Sequence, residues 1–341
     1  MLILDKLTKK KNSFKVALIG GGSFATAIAK ILSENNCRIN WWMRDKESVA
    51  YIKKHKHNPR YLNAVHINTG RCKPMINLKR AIKPADIVIL AVPSAFLEDA
   101  LLPLEPNDFK GKIICSAIKG LIPKNHSIIG EFINKKFKVP FKNIVVITGP
   151  CHAEEVAKEM ISYLTVASTE IKNATKVADL ISSRFIHTKV SDDIYGTEYS
   201  AVLKNIYAIA CGISHGLGYG DNYQAALISN AIQEIERFVA KVHPINRDIK
   251  GSAYLGDLMV TTYSQFSRNR TFGMMIGRGY TPKIAQLEMN MVAEGYYAVK
   301  SIYAVNEKYK VNMPIADTVY RIIYEKSNPA KEFELLSDII S

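Results

Sequence analysis

In the stretch AVLKNIYAIACG, residues 201–212, Lys204 is the one formally charged residue between Glu198 and Asp221, with His215 counted as neutral. On a helix, Ala201, Ala208 and Cys211 share its face, at spacings of three, four and seven. Small neighbours of this kind leave the ammonium in a narrow cleft with room for a small ligand. Burial disfavours the charged form and brings a lysine pKa down from about 10.4 toward the working range. An ammonium so tuned suits proton exchange with an alcohol or a carbonyl. A lysine at the end of an interface helix, snorkelling its head to water, satisfies the same pattern.

Five further stretches carry chemistry. VALIGGGSFATAIA holds a G-x-G-x-x-A pattern at Gly20, Gly22 and Ala25. The first glycine suits a tight turn and the second lets the backbone approach a pyrophosphate. The third position needs only a small side chain, which alanine provides. Phosphate would then sit on the amides that open the following helix. Arg44 and Asp45 end the next strand-like run. An arginine there accommodates the 2′-phosphate of NADP and an acid binds the ribose of NAD, so Arg44 favours NADPH. Alternatively, Asp45 caps the next helix and Arg44 lies in solvent. Lys119 follows the apolar run KIICSAI, and Gly149 to Ala153 close another such run and open a helix. Both lie where ligands bind in parallel sheets, outside the carboxyl ends of the strands. Ser267, Arg268, Asn269 and Arg270 are consecutive, and Arg268 with Asn269 could clamp a phosphate through charge-assisted bonds. A solvated turn would read the same way.

Positioning these groups requires a scaffold, and the first half of the chain supplies alternating signals for one. FKVALIG (14–20), RINWWM (38–43), DIVILAVP (86–93), KIICSAI (112–118) and NIVVITGP (143–150) read as strands, most of them buried on both faces. SYLTVAS (162–168) and FIHTKVS (185–191) look like the last ones. Helical spacing lies between them, as in SFATAIAKILSENN and in DKESVAYIKKH with Asp45 as its N-cap. This alternation predicts an α/β fold with a doubly wound parallel sheet. From about Asp192 long helical patterns take over, among them 222–243 and 281–310. The expected organisation is a basic tail (1–13), a dinucleotide-binding domain (14–191) and an all-helical catalytic domain (192–341).

Composition narrows the class. With 341 residues, 48 % of them hydrophobic, two domains with sizeable cores are expected. No apolar run is long enough to span a bilayer, and MLILDKLTKKKNSF has no apolar core of a secretory signal. The five cysteines, Cys37, Cys72, Cys115, Cys151 and Cys211, form no CxxC pair. That argues against a disulfide framework or structural zinc and for a cytoplasmic location. A net charge of +15 favours anionic partners, but the lysines are interleaved with acids rather than clustered as nucleic-acid binding requires.

In combination, GGGSFATA, IKG, GPCHAEEVA, VLKN, LGDL, FSRNRTFG and VAEGY resemble the bacterial-type NAD(P)-dependent glycerol-3-phosphate dehydrogenases, from Lys15 to about Lys326. The resemblance implies a Rossmann-type domain, a helical domain and an active site between them. It implies Lys204 as the catalytic proton donor and acceptor. Ser23, Phe24, Arg44, Lys119, Ala153, Arg268, Val292 and Glu294 would contact NADPH or NADH, beside Gly20 and Gly22. Lys119, Gly149, Cys151, Lys204, Asp257, Ser267, Arg268 and Asn269 would hold the substrate, dihydroxyacetone phosphate or sn-glycerol 3-phosphate. No metal, nucleic acid or membrane insertion is implied, and a homodimer is expected. Position 151 departs from the family, which has serine or threonine there, and Ala25 stands where many members have glycine. A 3-hydroxyacid-type dehydrogenase of similar plan is the nearer alternative. A basic nucleic-acid-binding protein is the distant one.

Overall fold

The computed structural model describes residues 14–289 and 293–340, so the expected basic tail and Val292 lie outside the described residues. The first part of the chain runs β1 (Lys15–Ile19), α1 (Ser23–Glu34), β2 (Arg38–Trp42), α2 (Lys46–His55), β3 (Cys72–Met75), α3 (Leu78–Ile82), β4 (Ile87–Leu90), α4 (Leu97–Leu101), β5 (Ile113–Ser116), α5 (Ile129–Phe137), β6 (Ile144–Thr148), α6 (Ala153–Ala157), β7 (Ser162–Ala167), α7 (Ile171–Ile181) and β8 (Ile186–Ser191). Among the described residues helices then follow without strands: α8 (Ile194–Gly216), α9 (Asp221–Val242), α10 (Asp257–Tyr263), α11 (Arg268–Gly277), α12 (Pro282–Glu288), α13 (Glu294–Tyr309), α14 (Pro314–Tyr324) and α15 (Pro329–Ser337).

The strands form one eight-stranded sheet in the order β3-β2-β1-β4-β5-β6-β7-β8. Residues of β1 alternate between its two faces: Val16 and Leu18 join one apolar cluster, Ala17 and Ile19 the other. Strands β4, β5 and β6 are buried throughout, as their continuous apolar runs require. The order reverses between β1 and β4, and this switch point is where an open α/β sheet offers a crevice.

Three local expectations need correction. The sheet is not wholly parallel, because β6 and β7 are antiparallel. Between them lies only the five-residue α6. At about 1.5 Å of rise per residue it spans roughly half the length of a five-residue strand, too little to carry the chain back for a parallel crossover. Strand β3 gave no sequence signal, since CKPM is short and holds a proline, which an edge strand tolerates. The long pattern over 281–310 is two helices, α12 ending at Glu288 and α13 starting at Glu294.

The helical part is built around α8. Its N-cap, Asp193, accepts from Gly196 N–H at 2.9 Å and also holds Arg247 Nε and the Tyr254 hydroxyl, each at 2.6 Å. This anchor fixes where the helix starts and so which residues of its third turn face the sheet. Helix α11 lies so close to α8 that a Cβ at Gly273 would come 2.1 Å from the Ile209 carbonyl oxygen. Only glycine permits that approach, and it sets the N-terminus of α11 beside the middle of α8.

Candidate active site

A cleft of about 580 Å³ lies between the sheet's switch point and the helical part. At its centre is Lys204, from the third turn of α8 and 5 % exposed. Its Nζ donates to Asp257 Oδ1 at 2.5 Å and to Thr261 Oγ1 at 2.9 Å. Asp257, 1 % exposed, opens α10, and Thr261 lies one turn on, so both project from one helix face. The second Asp257 oxygen accepts from Lys119 Nζ and from the Gly149 amide, both at 3.3 Å. Lys119 arrives from the segment after β5 and also donates to the Gly149 carbonyl at 3.2 Å. One carboxylate thus gathers two ammoniums and a strand end from three distant parts of the chain.

The two lysines are tuned in opposite directions. Burial, with the Lys119 charge adding to it, brings the Lys204 pKa down to about 7, against the pull of Asp257. Burial also disfavours charge on Lys119, but the Asp257 carboxylate outweighs it and holds Lys119 above its ordinary value. Asp257 is itself held below the usual carboxylate range, since the two ammoniums overcome the effect of burial. Lys119 therefore stays a fixed cation while Lys204 can change protonation near neutral pH. This is the behaviour of a general acid and base.

Asn205, the neighbour of Lys204, holds the surroundings together. Its amide donates to the Lys119 carbonyl at 3.0 Å and its oxygen accepts from Asn269 Nδ2 at 2.9 Å. Asn269 Oδ1 in turn accepts from Gly295 N–H at 2.9 Å. The Asn269 carboxamide thus ties α8, α11 and α13 rather than standing free beside Arg268. Ser267 caps α11 by accepting from Arg270 N–H at 3.3 Å. Arg268 is exposed and lines the cleft, and its charge acts on Glu294. Glu294, in the first turn of α13, lines the same cleft, and burial pushes its carboxyl up to about 7.

The turn after β1 fits a dinucleotide. Gly20 adopts φ +133°, and a Cβ there would lie 2.2 Å from the Ala91 carbonyl oxygen, at the end of β4. Gly22 is the N-cap of α1 and makes no side-chain cap, and the space a Cβ would occupy there is open. The amides of the first α1 turn thus face the cleft at the positive end of a 12-residue helix. Gly22, Ser23, Phe24 and Ala153 line this side of the cleft.

Of the other expected site residues, Cys151 lines the cleft, and burial raises its thiol to about 11, which keeps it an unreactive thiol. Gly20 lies behind the cleft lining, its carbonyl taken by Trp41 Nε1 at 2.6 Å. Gly149 contributes backbone groups to Lys119 and Asp257. Arg44 is exposed beyond β2 and outside the lining, while Asp45 caps α2 by accepting from Glu47 and Ser48 amides. Thr261 and Asn205 are site residues that the sequence motifs did not single out. The four-residue spacing from Asp257 to Thr261 and the adjacency of Asn205 to Lys204 were the available signals.

Comparison with known proteins follows this geometry across the chain. Residues 15–174 match the N-terminal part of the NAD-dependent glycerol-3-phosphate dehydrogenase family, and residues 193–334 match its C-terminal part. A curated glycerol-3-phosphate dehydrogenase [NAD(P)+] of Clostridium botulinum is 36 % identical over 322 residues, covering 94 % of this chain and 96 % of the relative. One of Chlorobium limicola is 33 % identical, covering 91 % and 93 %. The crystal structure of a glycerol-3-phosphate dehydrogenase from Coxiella burnetii superimposes with a TM-score of 0.89 at 28 % identity, covering 95 % of this chain and 99 % of that one. With both parts of the family matched in order and relatives alike nearly end to end, the chain belongs to the NAD-dependent glycerol-3-phosphate dehydrogenases, oxidoreductases that pair a Rossmann-type domain for a nicotinamide cofactor with a helical domain.

Proposed function

We propose that this protein reduces dihydroxyacetone phosphate to sn-glycerol 3-phosphate with NADPH or NADH, reversibly, and so supplies the backbone of glycerophospholipids. The observation that carries the reading is the Lys204–Asp257–Lys119 cluster, buried in a cleft whose other wall is the dinucleotide turn. When bound, the nicotinamide supplies the hydride that the C2 carbonyl takes up. Lys204 gives a proton to the oxygen that becomes an alkoxide and stabilises its charge beforehand. In the reverse direction the neutral amine takes the proton back. Asp257 holds the Lys204 ammonium in place, and Lys119 adds a second positive charge for the developing oxyanion.

The substrate phosphate is assigned to the mouth of the cleft. There the Arg268 guanidinium supplies charge, and Ser267 keeps a hydroxyl proton to donate. Asn269 has one amide hydrogen beyond the one given to Asn205. This polar group favours a phosphorylated substrate over a simple 3-hydroxyacid. Gly149 and Cys151 complete the substrate wall, where a thiol donates more weakly than a hydroxyl. Gly20, Gly22, Ser23, Phe24, Ala153, Glu294 and Val292 form the cofactor side of the proposal. Arg44, on the surface past β2, is assigned the 2′-phosphate of NADPH, so Arg44→Ala should raise the KM for NADPH far more than that for NADH. Residues 14–191 would carry the cofactor and 192–341 most of the catalytic groups. A homodimer and a cytoplasmic location belong to the same reading, and Cys72, Cys115, Cys151 and Cys211, buried thiols outside any disulfide, support a reducing compartment.

The direct test follows oxidation of NADH and of NADPH separately, with dihydroxyacetone phosphate as substrate. Substrate-dependent oxidation of at least one is expected. Absence of both would remove the assignment.

A further inference from the structure

His152 is the N-cap residue of α6 and lines the cleft beside Lys204 and Lys119. The reaction proposed above leaves it without a task. Its Nε2 is buried and has no hydrogen-bond partner. The ring faces the backbone of Val260, on α10, and rests tilted against the Phe266 ring at 6.3 Å. A ring that donates one N–H to a carbonyl keeps a lone pair on its other nitrogen, as long as it stays neutral. It does stay neutral: burial, then the charges of Lys204 and Lys119, lower its pKa to about 4, against an opposing pull from Asp257. With the ring proton on Nδ1, the orphan Nε2 is an acceptor, and buried polar atoms without partners are rare enough to require a reason.

The acceptors that hold the two ammoniums are already committed. Asp257 Oδ1 serves Lys204, and Oδ2 serves Lys119 and the Gly149 amide. Thr261 Oγ1 accepts from Lys204 and gives its own proton to the Asp257 carbonyl at 2.6 Å. On the function proposed above, the substrate brings three polar parts. Its phosphate goes to Arg268 and its neighbours, and its carbonyl oxygen to Lys204. The remaining part is the hydroxyl next to the carbonyl, a donor that must enter the same desolvated space.

We propose that Nε2 of His152 accepts a hydrogen bond from the free hydroxymethyl group of the substrate, and so makes the enzyme selective for a phosphorylated α-hydroxy ketone. This rests on the proposed function. The cost of leaving a buried acceptor unpaired is what rejects a ketone without the hydroxyl.

The experiment compares kcat/KM for dihydroxyacetone phosphate and for 2-oxopropyl phosphate, which has a methyl group in place of the hydroxymethyl. Wild type, His152→Phe and His152→Gln are measured side by side. Comparing the ratio between variants cancels the intrinsic difference in carbonyl reactivity. His152→Phe should lose roughly tenfold or more on dihydroxyacetone phosphate, the scale of one buried hydrogen bond, and change little on the analogue. His152→Gln, which offers an amide oxygen, should recover part of the preference. An unchanged ratio in His152→Phe, or equal losses on both ketones, overturns the proposal and leaves the dehydrogenase assignment standing. If the phenyl ring disrupts the turn, His152→Leu makes the same comparison: a loss confined to dihydroxyacetone phosphate supports the proposal, and an unchanged ratio overturns it. A wild type that reduces neither ketone phosphate removes the function itself, and this inference with it.

Discussion

Lys204 and Asp257 meet at 2.5 Å, although 53 residues separate them in the chain. Asp257 shares its second oxygen with Lys119 at 3.3 Å, so one carboxylate serves two cations unequally. Two positive charges against one negative leave a net positive site. Such a site suits an oxygen that becomes an alkoxide, and the Lys119 charge makes the Lys204 proton easier to release.

Lys204→Met keeps the length and apolar stem but removes charge and proton. It should preserve the fold and cofactor affinity, and slow the chemical step by roughly a hundredfold or more. Lys204→Arg should not rescue it, since a guanidinium does not release a proton near neutral pH. On the proposed mechanism, reduction needs the ammonium and oxidation needs the free amine. With the Lys204 pKa lowered to about 7, kcat/KM for reduction should fall as pH rises through that value, and kcat/KM for oxidation should rise. Initial rates in both directions between about pH 5.5 and 9 check this. A profile unchanged in Lys204→Met would assign the titration to another group.

Asp257→Asn is nearly isosteric and leaves Lys119 and Lys204 facing each other without a counter-charge. Asp257 is the group that raises the Lys204 pKa against burial. Its loss should move the alkaline limb of the reduction profile to lower pH. Removing one partner from a buried ion pair also costs about 3–5 kcal/mol of stability, measurable by urea unfolding. Both effects are expected in the same variant, and an unshifted limb would show that Asp257 does not govern the proton on Lys204.

Arg268→Ala should weaken turnover of dihydroxyacetone phosphate by roughly ten- to a hundredfold, the range for a charge-assisted bond. Unphosphorylated dihydroxyacetone, a poor substrate to begin with, should lose little. Equal losses on the two substrates, seen in kcat/KM, would place Arg268 on the cofactor or in a structural role.

Gly273→Ala tests how α11 is positioned. A Cβ there would lie 2.1 Å from the Ile209 carbonyl oxygen, so the two helices must part. Overpacking of this kind costs about 1–3 kcal/mol. Because α11 carries Ser267, Arg268 and Asn269 at its start, KM for the phosphorylated substrate should rise along with the fall in unfolding midpoint. A lower midpoint with an unchanged KM would uncouple helix packing from the site.

Much of this architecture is legible in local patterns. Continuous apolar runs mark β1, β4, β5 and β6, because strands covered on both faces exclude polar side chains. Gly20 marks the turn after β1, because its close approach to the Ala91 carbonyl excludes a side chain, whereas Gly22, with open space at its Cβ, is legible only from its place in the pattern. Lys204 stands out as a lone charge in an apolar helix. The edge strand β3 is invisible in the sequence, since a short strand with Pro74 needs no apolar alternation when its outer side has no partner. The reversed direction of β7 is also hidden, because strand polarity depends on the path of the connection and not on the strand's own residues. The sequence favours Arg44 for the cofactor and leaves Asp45 open as a helix cap, and the fold gives Asp45 to the cap of α2. The chemistry of Lys204 is decided by tertiary structure alone. A pKa near neutrality depends on depth of burial and on charges within a few ångströms, and those charges come from residues 119 and 257, which only the folded chain brings together.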